Sequence, residues 1–120
     1  MAVRAIRGAT HLSADDAAEM QAAVAELVSA MLERNGLDSA ALISVLFTAT
    51  PDLVSTFPAT AARTLGLGDV PLMCAQELDV AGSMPRVVRV MAHVECELAR
   101  SEIAHVYLRG AEALRADLAQ

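Results

Sequence analysis

Residues 13–36, SADDAAEMQAAVAELVSAMLERNG, decide how the rest of the chain is read. Ala17, Met20, Val24, Leu27, Val28, Met31 and Leu32 recur at three- and four-residue spacing, which puts them on one side of an α-helix of roughly five turns. Ser13 with Asp16 three residues later has the form of a capping box, and Asn35-Gly36 supplies a left-handed stop. The segments around this helix read as strands. Ala2–Thr10 alternates, with Val3, Ala5 and Arg7 on one face. Ala41–Phe47 is a continuous apolar run of strand length, as expected of a strand covered on both faces. Pro51 and Pro58 bracket a loop that leads into a short helix, Ala59–Leu65, ended by Gly66. Val70–Leu78 is a third strand, and Gly82-Ser83-Met84-Pro85 is a turn. Val87–Glu95 is a fourth strand. Its even positions (Val88, Val90, Ala92, Val94) are all apolar, while its odd ones include Arg89, Met91 and His93. His105–Arg109 closes the series, with Val106 and Leu108 opposed to Tyr107. The order defines an α+β fold, a mixed five-stranded sheet on one long helix. One helix cannot cover both faces of such a sheet. The face bearing Arg7, Arg89 and Tyr107 must therefore meet water or another subunit.

Composition narrows the function. The 120 residues fit a single domain spanning 1–120, with no repeat or linker. A net charge of −6 with no basic run argues against nucleic acid and anionic membranes as partners. The longest uncharged run, Ser39–Pro51, is about half of what a membrane span requires. Hydrophobic residues at 55% exceed what so short a chain needs for its own core, which suggests apolar surface buried between subunits. Cys74 and Cys96 fit neither a metal-ligand spacing nor a disulfide framework, and the chain reads as cytoplasmic. All nine basic residues are arginine. An anionic substrate must be drawn in by a local arginine cluster against the global field.

Short motifs for phosphate loops, metal sites or nucleophile elbows are lacking. Longer blocks are informative. Arg4-Ala5-Ile6-Arg7-Gly8-Ala9-Thr10, Thr48-Ala49-Thr50-Pro51-Asp52-Leu53 leading to Phe57-Pro58-Ala59, and Gln76-Glu77-Leu78-Asp79-Val80 come in that order. Gly82-Ser83, Pro85-Arg86, Arg89-Val90, His105-Val106-Tyr107-Leu108 and Leu114-Arg115 follow. Together they resemble the chorismate mutases of the AroH class, in the family's order and across nearly the whole chain.

The resemblance implies a homotrimer shaped as a pseudo-α/β barrel, with active sites in clefts between subunits. It also implies chorismate as substrate, prephenate as product, a place in phenylalanine and tyrosine biosynthesis, and neither cofactor nor metal. By the same resemblance Arg89 donates to the ether oxygen, Arg7 binds a carboxylate, and Glu77 accepts from the ring hydroxyl. Tyr107 contacts a carboxylate or the ring, and Cys74 lines the site beside Met73. Phe57 and Ala59 form the apolar wall. Arg63 and Arg115 stand at the mouth, and Leu114 covers the ring. Thr60, Met73 and Ala116 depart from the family's usual residues. With no proline near Ala116, residues 112–120 are expected to form a mobile tail acting as a loose lid. A non-catalytic trimeric binder of small carboxylates on the same fold is the alternative. The joint presence of Arg7, Glu77, Arg89 and Tyr107 argues against it.

Overall fold

The computed structural model describes residues 1–115, with nothing to say of the Arg115 side chain. Five strands, β1 (Ala2–His11), β2 (Leu42–Ala49), β3 (Leu72–Gln76), β4 (Val87–Cys96) and β5 (Val106–Leu108), form one sheet in the order β3-β2-β4-β1-β5. β4 runs antiparallel to both of its neighbours, whereas β1/β5 and β2/β3 are parallel pairs. The long helix α1 (Ala17–Glu33) and the short helix α2 (Pro58–Thr64) pack on the same side. α1 lies over β1 and β5, and α2 over β2 and β3. Between them and the sheet is the core, formed by Ile6, Met20, Leu27, Met31, Phe47, Val88, Val94 and Val106, all essentially inaccessible to solvent. No helix among the described residues is long and apolar enough to cross a membrane.

The expected helix is present, but its cap differs. Asp16, not Ser13, is the extended N-cap residue, and its carboxylate accepts from Glu19 N at 2.8 Å. Ser13 instead donates its N–H and its hydroxyl to the Glu19 carboxylate, at 2.7 and 2.8 Å. No reciprocal box forms, because Glu19 reaches past the N-cap to Ser13 while the Asp16 N–H donates to Ala14 O. At the other end Asn35 does more than stop the helix. Its amide donates to Met31 O and Ala104 O and accepts from Ala104 N, tying the end of α1 to the segment before β5.

Close packing of α1 on the sheet depends on Gly8. A Cβ there would stand 2.6 Å from Met31 Sδ, 3.1 Å from Leu27 Cδ1 and 3.2 Å from the Val106 carbonyl oxygen. The odd residues of β4 face away from the helices as expected. Two expectations are corrected. β2 is covered on one face only: Val45 and Phe47 are buried, while Ser44, Leu46 and Thr48 on the other face are partly open. The third and last strands are shorter than their apolar patterns. Strand pairing begins only after Pro71, and the Val106–Leu108 ladder is limited by its three-residue register with β1.

Candidate active site

The sheet face turned away from the helices carries two cross-strand rows. Register aligns Ala75, Thr48, Arg89, Ala9 and Tyr107 across all five strands. The next row is Met73, Leu46, Met91 and Arg7. Arg7 and Arg89 are therefore diagonal neighbours on β1 and β4, with Cα atoms about 7–8 Å apart in such a pairing. They line a cavity of about 230 Å³ together with Leu46, Thr48, Met91 and Tyr107.

Arg89, Thr48 and Tyr107 are held by side-chain contacts, and Arg7 through its backbone. Glu77 follows β3 directly, and its N–H donates to Ala49 O at 2.9 Å, prolonging the ladder by one bond. Its carboxylate accepts from Arg89 Nε at 3.1 and 3.2 Å and from Thr48 Oγ1 at 2.7 Å. The Arg89 side chain is 43% exposed and that of Glu77 only 16%, so the carboxylate sits behind the guanidinium. Arg7 is fixed through its backbone. Its N–H donates to His105 Nδ1 at 2.9 Å, just before the β1/β5 ladder begins at Gly8 and Val106. Tyr107 is buried with Ala9, Val87 and Ala111, and Met84 and Leu114 pack against that group. Leu114 belongs to a 3-10 turn, Ala111–Arg115.

The structure divides the expected site residues into two groups. Arg7, Glu77, Arg89 and Tyr107 meet on the open face. Phe57, Ala59, Arg63 and Cys74, joined by Met73 from the outer end of the open-face row, line a separate groove of about 370 Å³ along α2 and the β3 edge. Cys74 pairs with Phe47 and packs against the core on the helical side of the sheet, opposite the Arg89 face. Phe57, at the start of α2, is 71% exposed, and Met73 is 67% exposed. The expectation for the Arg115 side chain, and for the tail beyond it, lies outside the described residues.

Thr48 was missed as a site residue. Its signal was present, since Ser44 and Thr48 interrupt the apolar run four residues apart and so share a strand face.

Two guanidinium groups around one apolar-walled cavity, one of them braced by a carboxylate, form an arrangement suited to a small organic anion. Comparison with known proteins makes that class specific. Residues 3–118 match the family model for chorismate mutase type I. Chorismate mutase AroH of Thermus thermophilus is 47% identical over 117 residues, covering 97% of this chain and 96% of that protein. Chorismate mutase AroH of Bacillus subtilis (strain 168) is 39% identical over 119 residues, covering 98% and 94%. A solved structure, chorismate mutase from Clostridium thermocellum, superposes with a TM-score of 0.89 at 46% identity, covering 91% of this chain and 97% of that one. The chain belongs to the type I chorismate mutase family. Its activity is the isomerisation of chorismate to prephenate, a step of aromatic amino acid biosynthesis.

Proposed function

We propose that the Arg7–Glu77–Arg89–Tyr107 face and the α2/β3 edge of a neighbouring subunit together enclose chorismate, in a homotrimer with one site at each interface. The observation that carries this reading is the separation of the two groups within one chain. Each is an incomplete site, one charged and one apolar. Exposed Phe57 and Met73 on the edge are suited to be buried by a second copy.

The reaction is a Claisen rearrangement. The ether C–O bond breaks as the new C–C bond forms, and no proton is transferred. The protein's tasks are to hold a flexible dicarboxylate in its compact conformer and to stabilise the charge growing on the ether oxygen. Arg89, with Nε committed to Glu77, uses its remaining N–H groups on the ether oxygen and one carboxylate. Arg7 and Tyr107 grip a carboxylate, and Glu77 accepts from the ring hydroxyl. Phe57, Ala59, Met73 and Cys74 wall the ring from the neighbouring subunit, with Leu114 above it and Arg63 and Arg115 meeting the second carboxylate. Two free cysteines, Cys74 and Cys96, suit a reducing compartment, and we place the enzyme in the cytoplasm.

A mixing experiment tests the shared site. Arg7→Ala and Phe57→Asp chains, each inactive alone, are unfolded, mixed and refolded together. Random assembly of equal amounts should leave about a quarter of the interfaces with both halves intact, and activity should return in that proportion. An absence of recovery, or a fully active monomer at high dilution, would overturn the shared site.

A further inference from the structure

We propose that Thr48 is a positioning residue for the rearrangement, acting through Glu77 on Arg89. This rests on the reading of the site given above and adds a residue to it. The bond from Thr48 Oγ1 to Glu77 Oε2, at 2.7 Å, is the shortest of the polar contacts around Arg89. Its length is the ordinary one for a well-formed bond from a hydroxyl to a carboxyl oxygen.

The geometry shows why that bond is needed. Glu77 lies beyond the end of β3, on the edge of the sheet, where only its backbone N–H to Ala49 continues the ladder. Its side chain has three rotatable bonds. The Arg89 contacts at 3.1 and 3.2 Å are longer, and they come from a side chain that is itself 43% exposed. Two long side chains of this kind do not fix each other. Thr48 is different. It is β-branched and stiff at χ1, and it sits on β2 with paired strands on both sides. In register it lies directly between Ala75 and Arg89, so its hydroxyl is delivered to the Glu77 carboxylate by the sheet itself. The order of support is then sheet, Thr48, Glu77, Arg89, ether oxygen.

Loss of the hydroxyl should loosen Arg89 where the breaking bond needs it, while Arg7 continues to hold its carboxylate. The effect therefore belongs in kcat more than in KM. Thr48→Val keeps the branched shape and removes the donor. Its kcat should fall ~10-fold, a fraction of the ~10²-fold cost of losing a charge-stabilising donor outright, with KM within about twofold. Thr48→Ser should recover most of that loss. In a Glu77→Ala background, Thr48→Val should cost nothing further, because the carboxylate it orients is gone.

The assay is loss of the chorismate diene absorbance under saturating substrate, with a thermal melt for each variant. If valine fails to fold, Thr48→Ala read against Thr48→Ser replaces it. A Thr48→Val enzyme with unchanged kcat, beside an impaired Glu77→Ala, would overturn the role of Thr48 and leave the site reading standing. Equal losses in serine and valine, or a full further loss on the Glu77→Ala background, would also overturn it. If Glu77→Ala and Arg89→Ala were both fully active, the site reading would fall, and this inference with it.

Discussion

Arg89 Nε donates to both oxygens of Glu77, at 3.2 and 3.1 Å, a contact that reaches over β2 from β4 to the end of β3. The pair leaves one face of the guanidinium committed to protein and the rest available to a ligand. It is a poor stabiliser of the fold, because an ion pair whose guanidinium is nearly half exposed contributes only about 0–1 kcal/mol.

Stability and activity should therefore separate at Glu77. Glu77→Gln keeps the shape, and by the exposure of the pair it should shift the unfolding free energy by no more than ~1 kcal/mol. Turnover of chorismate should nevertheless fall clearly. Chemical denaturation alongside the absorbance assay checks both halves.

At Gly8 the opposite should be seen. The methyl of Gly8→Ala would press on Met31 Sδ, Leu27 and the Val106 carbonyl, and only the methionine is flexible. Overpacking of this kind typically costs about 1–3 kcal/mol. Arg7 and Ala9 flank this residue, so a shifted β1 also displaces the site. Urea unfolding should show a lower midpoint with an unchanged slope, and activity should fall along with it.

Acid stability depends on the loop before α1. The Asp15 carboxyl is held below its usual 3.8, mainly by the Ser55 hydroxyl, which outweighs an opposing desolvation, and further by the N–H groups of Val54 and Ser55. Glu19 is held below 4.5, chiefly by the Ser13 N–H and hydroxyl. Both groups bind protons less readily when folded. Their stabilisation is complete above those ordinary values and is lost as pH falls through the lower folded ones. Melting temperature should drop as pH falls past about 4.5, where Glu19 is half protonated in the unfolded chain. Asp15→Asn with Glu19→Gln keeps one acceptor oxygen in each side chain but removes the titration, so its acid limb should be shallower. Both groups are on the surface, so the change should be modest.

Much of this was legible before the structure. The α1 pattern states its own period, and the alternation of Arg89, Met91 and His93 against Val88, Val90 and Ala92 already divides the two faces of β4. Arg7 and Tyr107 followed the same logic. Thr48 did not stand out, because it follows the Ala41–Phe47 run, in which Ser44 is the one polar residue. The two share a face by spacing, but what that face meets is seen only when they are aligned across from His93 and Arg89. The face occupied by Cys74 depends on pairing with Phe47, a register that composition does not encode. Nor does periodicity within one chain carry any signal that Phe57 and Arg89 lie in separate grooves.

Whether Arg89 stabilises the charge on the breaking ether bond is decided by kcat for Arg89→Ala at saturating chorismate. Turnover should fall by roughly 10²-fold or more, the scale of losing one charge-stabilising donor. Arg89→Lys should recover only part, since an ammonium cannot bridge Glu77 and the substrate as a planar fork does. A kcat for Arg89→Ala within a few-fold of the unmodified enzyme would contradict the account.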